Sequence, residues 1–286
     1  MKPQCLRLFT VALVCCFQGS LAQLPDSTWI QELAWTPDSK RIGFSASKDG
    51  VWSTYVVNAD GTNLTKLKEN ARFVSWSPAG SRIATCLGEE GNWEIYLMSE
   101  REAAVRQITR NLGKNSDPAW SPDGSKIVFV SKRDGSSQIY VMNADGANQV
   151  RLTKGPGNYY APSWSADGSK IVFYQDKGDG KDQIYMVNPD GKNMTRILGN
   201  EKGNVYPSFS PDGKRILFSS YIPGEEGIVF IMNVDGSNIS SYRSFNGFFA
   251  RFSPDGKNVA VIAGSWPLAE IHVMDADTSA QTSPMK

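Results

Sequence analysis

The segment "PAWSPDGSKIVFV", residues 118–130, decides the fold because it returns along the chain in six recognisable copies. The Ser or Thr of the motif falls at Thr36, Ser77, Ser121, Ser165, Ser210 and Ser253, which gives steps of 41, 44, 44, 45 and 43 residues. Self-similarity at a period of roughly 20 to 50 residues is the signature of a repeat architecture. The chain is therefore predicted to consist of one supersecondary unit repeated six times.

Each copy has a second half, such as "QIYVMNADG" ending at Gly146, and a polar tail such as "NQVRLT" at 148–153. The segments are short, rich in β-branched and aromatic residues, and punctuated by Gly, Pro, Asn and Asp, which is typical of strands. Runs such as "KIVFV" (126–130) are apolar at consecutive positions, so both faces of such a strand must be covered.

These features predict an all-β fold, a six-bladed β-propeller of four-stranded antiparallel blades in which each sheet is sandwiched between two others. An open solenoid is the competing architecture. It would need polar capping repeats at its ends, and neither the first nor the sixth copy has a polar face.

The recurring Ser-Pro-Asp-Gly is interpreted as a type I turn and not as a set of ligands, because turn chemistry accounts for every residue in it. Substitutions agree with this interpretation: Ala79 replaces the Asp, Ala166 replaces the Pro and Ser39 replaces the Gly. No position of the motif is retained as an ion-binding or catalytic residue would be.

The first residues have the organisation of a secretory signal peptide. Two cations precede an apolar run over 8–17, and Ser20 and Ala22 stand where a signal peptidase reads small side chains. The apolar run is too short to span a membrane. We therefore predict a cleaved signal peptide over 1–22, a single β-propeller domain over 23–286, and a monomeric periplasmic or secreted protein without membrane insertion.

Charge and composition argue against several classes of function. Without the predicted signal peptide the chain has 28 basic and 29 acidic residues, which gives no electrostatic attraction to nucleic acid or to an anionic membrane. His272 is the only histidine, and Cys86 is the only cysteine beyond the signal peptide. A His-based triad or a multi-histidine metal site is hard to assemble from these residues. The sequence predicts no catalytic residue, no metal and no cofactor.

Function is expected at one end of the ring. Because strands alternate in direction within a blade, the two kinds of Gly-containing turn share one end, and the blade-to-blade segments and second-to-third-strand loops share the other. The copies differ at this second end, which we call the variable-loop end, and variable loops on a repeated scaffold usually carry binding.

Aromatic and Arg side chains, which are enriched at interface hot spots, mark this end. The candidate partner-binding residues are Trp29, Arg72, Phe73, Arg133, Tyr159, Tyr160, Tyr206, Phe248, Phe249 and Trp266. The alternative is that several of these rings fill the axial channel as core residues.

The pattern "PAWSPDGSKIVF" followed by "QIYVMNADG" and "RLT" closely resembles the WD-like repeats of the TolB-type propeller, a six-bladed periplasmic domain of the Tol-Pal envelope system. The resemblance implies a non-catalytic, protein-binding scaffold in envelope integrity or protein transport. Its partner would be a Pal-like lipoprotein if the resemblance extends to function. TolB carries an α/β domain ahead of its propeller, whereas about ten residues separate the predicted cleavage site from the first repeat here.

Related blades occur in sugar lyases and prolyl peptidases, so the resemblance is less specific for function than for fold. The peptidases need a hydrolase domain, and the lyase relatives use a histidine-rich metal site that one histidine cannot supply. The alternative kept open is a carbohydrate-binding or carbohydrate-active propeller that uses carboxylates at the channel mouth, where a catalytic pair needs a separation of roughly 5 to 10 Å. The candidate carboxylates are Asp117, Asp176, Asp179 and Glu225.

Overall fold

The computed structural model describes residues 29–89, 91–101, 104–110, 113–221, 227–264 and 269–276. These residues form β-strands, and among them there is no helix long and apolar enough to cross a membrane. The strands are β1 (Trp29–Trp35), β2 (Arg41–Lys48), β3 (Val51–Asn58), β4 (Thr65–Glu69), β5 (Ala71–Trp76), β6 (Ile83–Glu89), β7 (Asn92–Met98), β8 (Arg106–Gln107), β9 (Asn115–Trp120), β10 (Lys126–Ser131), β11 (Gln138–Asn143), β12 (Val150–Arg151), β13 (Asn158–Trp164), β14 (Ile171–Asp176), β15 (Gln183–Val187), β16 (Thr195–Leu198), β17 (Gly203–Phe209), β18 (Arg215–Tyr221), β19 (Ile228–Asn233), β20 (Ser240–Phe252), β21 (Asn258–Ala263) and β22 (Glu270–Asp275).

The strands form antiparallel blades in the order of the chain. β1 to β4, β5 to β8, β9 to β12 and β13 to β16 are the first four blades. The fifth and sixth blades share β20, whose first part pairs with β19 through Ile228 and Asn246 and whose second part pairs with β21 through Gly247 and Ala263. The sixth blade therefore has three strands within the described residues. Its expected outer strand, over residues 280–284, lies outside them.

The ring closes by packing of the first blade on the sixth. The innermost strands of neighbouring blades contact one another all round the axis, and β1 contacts β20. Leu33 and Phe44 of the first blade share a buried cluster with Phe249 and Ile262 of the sixth. Across the same joint the Trp35 indole donates a hydrogen bond to the Arg251 carbonyl oxygen at 3.1 Å. The prediction of six blades in a closed ring is confirmed.

The turn interpretation of Ser-Pro-Asp-Gly is also confirmed. The Gly124 amide donates to the Ser121 carbonyl at 2.9 Å, and Gly124 has a positive φ of 69°, which glycine adopts without steric cost. The Ser121 hydroxyl donates to Asp123 Oδ1 at 2.5 Å and accepts from the Lys126 amide at 2.9 Å. The hydrogen bonds from Ser121 and Ser125 lower the pKa of Asp123 to about 2. The side-chain oxygen atoms of Ser121 and Asp123 are therefore engaged within the turn.

Candidate binding site at the axial channel

The innermost strand of every blade contains a bulge at the same place. Four positions before the Ser or Thr of the motif, φ lies between 50° and 65°, and the pairing with the next strand shifts register there. A positive φ is uncommon for a residue with a side chain, and a bulge re-aims the side chain that it carries. The bulge positions are Glu32, Phe73, Asp117, Ala161, Tyr206 and Phe249. We call these six residues the bulge ring, since the strands that carry them surround the axis.

Charges of both signs meet at the bulge ring. Glu32 Oε1 lies 3.8 Å from Arg72 Nε, and the two side chains retain 16% and 20% of their exposure. The Arg72 guanidinium also donates to Gln31 Oε1 and lies over the rings of Trp52 and Phe73, at 4.5 Å and 4.8 Å. Burial raises the pKa of Glu32 well above its usual value, and the positive charge of Arg72 opposes this rise. Arg72 is therefore held in place by two rings and two polar neighbours.

A second pair of opposite charges comes from the third and sixth blades. Asp117 accepts a hydrogen bond from the Ser116 hydroxyl at 2.7 Å, and burial raises the pKa of Asp117. The Arg251 guanidinium donates to the carbonyl oxygens of Tyr206 at 3.2 Å and Ala250 at 3.0 Å. Burial lowers the pKa of Arg251 to about 10 against the attraction of the channel carboxyl groups, so the guanidinium stays protonated at neutral pH.

The four charged side chains occupy an enclosed but not sealed space. Glu32, Arg72, Asp117 and Arg251 are each only partly buried, which is consistent with side chains that line an axial channel. Two of their polar atoms, Glu32 Oε2 and Arg72 Nε, are inaccessible and have no hydrogen-bond partner within the described residues. Buried polar groups are nearly always paired with protein or with ordered water, so these atoms have hydrogen-bonding capacity for a further group.

The opposite half of the channel is aromatic. The ring of Tyr206 stacks on Phe249 at a centroid distance of 3.7 Å, and Tyr174 meets Tyr206 edge-on at 5.5 Å. Tyr160 continues the row at 5.7 Å from Tyr174. Burial raises the pKa of Tyr206 to about 12, so its hydroxyl is neutral and can donate. The channel thus has a charged wall, formed by Glu32, Arg72 and Asp117 of the first three blades with Arg251 of the sixth, and an aromatic wall from the last three blades.

The structure places the sequence-predicted residues in several environments. Arg72, Phe73, Tyr206 and Phe249 belong to the channel described above. Tyr160 joins the aromatic row, and its hydroxyl contacts the Ser137 hydroxyl at 3.1 Å. The interpretation of rings as channel filling therefore describes Tyr206 and Phe249, while Arg72 and Tyr160 present polar groups.

The remaining candidates pack within or between blades, or lie outside the described residues. Tyr159 is buried in the fourth blade against Phe173 and Tyr185. Phe248 packs against Gly227 and the cluster that joins the first and sixth blades. Arg133 lies over Tyr140 at 4.6 Å, and its Nε donates to the Ser131 hydroxyl at 2.8 Å. Trp266 lies outside the described residues.

The first blade presents an apolar rim at the variable-loop end. Trp29 is 53% exposed and Val51 is 45% exposed. Trp29 pairs with Ser47 near the end of β2, and Val51 begins the strand that follows, so both lie at one end of the blade. The next residue, Trp52, lies under the Arg72 guanidinium. The rim, which we define as Trp29, Val51 and Trp52, is therefore continuous with the charged wall of the channel, and exposed apolar surface of this kind marks interaction sites.

Sequence reasoning missed three channel residues, Glu32, Tyr174 and Arg251. Arg251 had a usable signal, because the other five copies have Ala or Ser two positions before the motif Ser or Thr. Glu32 had a second kind of signal, because it occupies the same position of its repeat as Phe73 and Asp117 occupy in theirs. Tyr174 had none, because it lies in a second strand and reaches the channel only through the geometry of the ring.

The carboxylates considered at the sequence level do not all meet. Asp117 lies in the channel, where Glu32 is close enough to interact with it electrostatically. Asp176 and Asp179 are engaged in their own loop, where they accept from the amides of Gly178 at 2.7 Å and Lys181 at 3.0 Å. Glu225 is outside the described residues, and within those residues no group of three or more His, Cys, Asp or Glu could hold a metal ion.

Comparisons with known proteins agree with this architecture. The family model of the TolB β-propeller domain matches residues 71–179 and 154–284. A TolB-like protein from Agrobacterium tumefaciens is 27% identical, with a TM-score of 0.72 over 89% of this chain and 92% of that one. TolB from Acinetobacter baumannii is 25% identical, with a TM-score of 0.64 over 73% of this chain and 52% of that one. This chain thus spans about half the length of the Acinetobacter protein.

More distant structures share the fold alone. An oligogalacturonate lyase from Vibrio parahaemolyticus is 12% identical, with a TM-score of 0.60 over 89% of this chain and 78% of that one. No curated protein matches the chain in sequence. Fold similarity at this level does not carry function, so function has to be argued from the channel and its rim.

Proposed function

The chain belongs to the TolB β-propeller domain family, and from this premise we propose that it is a non-catalytic, periplasmic or secreted scaffold that binds a protein segment at the variable-loop end of its ring. The role would be in envelope integrity or protein transport, with a Pal-like lipoprotein as the class of partner. The observation that carries this proposal is the continuity of the apolar rim with the charged wall of the channel.

The chemistry of this surface suits a peptide. A protein segment has apolar side chains that the exposed Trp29 and Val51 can cover, and it has backbone and side-chain polar groups. The Arg72 guanidinium, whose side chain is 20% exposed, can donate to such groups. Arg72 is already fixed between Trp52 and Phe73, so little side-chain entropy is lost when it forms a new contact.

The electrostatics favour recognition over catalysis. Both carboxyl groups of the channel have arginine partners, since the charges of Arg72 and Arg251 oppose the rise in the pKa of each. Structural ion-pair networks perturb pKa values as catalytic sites do, and Glu32 with Arg72 forms such an ion pair here.

A pull-down from envelope extract, with matched surface variants, tests the proposal. The double variant Trp29→Ser and Val51→Ser removes the exposed apolar side chains of the rim. The control, Val105→Ser with Val150→Ser, changes two valines that are 39% and 53% exposed, one directly before the outer strand of the second blade and one on the outer strand of the third. We expect the rim variant to lose partner capture by at least about tenfold, as hot-spot aromatics do, with an unchanged Tm. Equal capture by the rim variant and the control would overturn the proposal.

The carbohydrate alternative rests on a different observation, the raised pKa of both Glu32 and Asp117. A carboxyl group with a raised pKa can act as a general acid. Release of reducing ends from a polyuronate by the full chain, abolished in Asp117→Asn, would favour this alternative over the protein scaffold. Absence of turnover with retained partner capture would leave the scaffold as the function.

A further inference from the structure

The joint between the first and second blades contains a complete carboxylate-binding arrangement built from the chain itself. Arg41 donates two hydrogen bonds to Glu100, from Nη1 to Oε2 at 2.7 Å and from Nη2 to Oε1 at 3.0 Å. The Trp76 indole donates a third bond to Glu100 Oε1 at 3.2 Å. A bidentate guanidinium supplies both strength and geometric selectivity for a carboxylate.

The next joint, between the second and third blades, has the same donors without the carboxylate. Arg82 stands five residues after Ser77, as Arg41 stands five after Thr36, and Trp120 precedes the motif Ser as Trp76 does. The Arg82 guanidinium lies 4.8 Å above the Trp120 ring.

The residue equivalent to Glu100 at this joint is Ala144. In the second blade Ile83 pairs with Met98, and in the third Ile127 pairs with Met142. Glu100 and Ala144 each come two residues after the Met of that pair. At the joint between the second and third blades, the methyl group of Ala144 therefore occupies the position that the Glu100 side chain has at the neighbouring joint.

The lost carboxylate leaves an unpaired donor and an open space. Trp120 is only 7% exposed, and its indole nitrogen is buried without a hydrogen-bond partner among the described residues. The side chain of Arg82 forms no ion pair with any acidic residue in the described part of the chain. A depression of about 410 Å³ lies beside Arg82 and Ala144, with Ser125, Lys126, Asn143 and Asp145 as its other lining residues.

Asp145 is the one acidic residue that lines the depression, and its side chain is engaged in a hydrogen bond within its own turn. Its Oδ1 accepts a hydrogen bond from the Ala147 amide at 2.9 Å within its own turn. Arg106 lies close by and donates to the Asp145 carbonyl oxygen at 3.2 Å. The cations Arg82, Lys126 and Arg106 therefore outnumber the acid at this place.

We propose that the depression between the second and third blades binds a carboxylate group, from a small organic acid or from an acidic side chain of a partner. One edge of the carboxylate lies against the Arg82 guanidinium, one of its oxygens accepts the Trp120 indole hydrogen, and Lys126 adds positive charge. The site lies at the end of the ring that carries the Gly turns, away from the channel mouth, so it is independent of the function proposed above.

Indole resonances in ¹⁵N-labelled full chain report on this site directly, with Trp120→Phe to assign the signal. Glutarate, titrated at constant ionic strength against sodium chloride, is expected to shift the Trp120 indole N–H. Arg82→Gln should weaken this response by about tenfold, since a charge-assisted hydrogen bond is lost. Ala144→Glu should shift the Trp120 signal without ligand and abolish the response, because the side chain then supplies its own carboxylate.

The neighbouring joint is the matched control. Glu100→Ala should make the Trp76 indole respond to glutarate as Trp120 does in the parent chain. A Trp120 signal that ignores glutarate, or that responds equally in Arg82→Gln, overturns the proposal. Tighter binding of glutarate than of an acetylated, amidated glutamate residue identifies a free dicarboxylate as the ligand class, and the reverse order identifies an acidic side chain.

Discussion

The Ser-Pro-Asp-Gly-type turns and the bulges of the innermost strands both occur once in each of the six blades, but they differ in what is repeated. At the turns the side chains recur with the backbone, because Ser121 and Asp123 saturate each other and the surrounding amides. At the bulges the backbone recurs, with a positive φ in every blade, but the side chains are Glu, Phe, Asp, Ala, Tyr and Phe. The turn side chains are nearly uniform, with Ser39, Ala79 and Ala166 as exceptions, because they complete the turn, whereas the bulge side chains differ on a constant backbone and are available for recognition.

The largest effect is expected from Arg251→Ala in the channel. The change removes hydrogen bonds to the Tyr206 and Ala250 carbonyl groups and leaves Glu32 and Asp117 with one guanidinium between them. Hydrogen bonds made by a charged group contribute about 1.5–3 kcal/mol each, and partial access from the channel brings the expected loss to about 2–3 kcal/mol. Chemical denaturation measures it. Lys257→Ala, on an exposed turn, is the control, and an equal small loss in both variants would contradict the burial of the network.

The channel and the turns should respond to pH with opposite signs. Burial raises the pKa of Glu32 in the folded state, so its favourable contribution is complete below the unfolded pKa and is lost as pH rises through the folded pKa. Relative to the parent chain, Glu32→Gln should therefore gain stability as pH rises from about 4, by about 1.4 kcal/mol for each unit of the raised pKa. Urea midpoints at successive pH values measure this. A difference that does not change with pH would show that Glu32 is not desolvated.

At the turns the sign reverses. Hydrogen bonds lower the pKa of Asp123 to about 2, so its contribution is present above the unfolded pKa of about 4 and is lost as pH falls through about 2. Asp123→Asn should cost about 0.5–1 kcal/mol at neutral pH, since the group is exposed, and the gap to the parent chain should close on acidification. A gap that stays open at pH 2 would exclude the ionised Asp123 as its source.

The smallest effect concerns the backbone of the bulge ring. Ala161 has a φ of 50°, a region that costs a side-chain-bearing residue roughly 1–2 kcal/mol relative to the usual conformation. Ala161→Gly should therefore leave the Tm unchanged or raise it slightly. Ala119→Gly, at a strand position with ordinary φ, should lower stability by about 0.5–1 kcal/mol. Equal losses at the two positions would contradict the left-handed bulge.

The repeat made the fold predictable, because six aligned copies of strand and turn signals agree with one another and outweigh local ambiguity. The candidate site was predictable in part. Arg72, Phe73, Tyr206 and Phe249 were selected as aromatic or cationic residues in the blade-to-blade segments, and the structure places them around the channel. Glu32 and Arg251 were not, because they come together only when the ring closes between its first and last blades, and that contact joins opposite ends of the chain.

The central claim is that the carboxyl groups of the bulge ring serve recognition and not folding. The most direct test is the double variant Glu32→Gln and Asp117→Asn, with partner capture and Tm measured side by side at neutral pH. We expect a Tm that is equal to or above that of the parent chain, together with a loss of capture of at least about tenfold. Undiminished capture with a lowered Tm would contradict the claim.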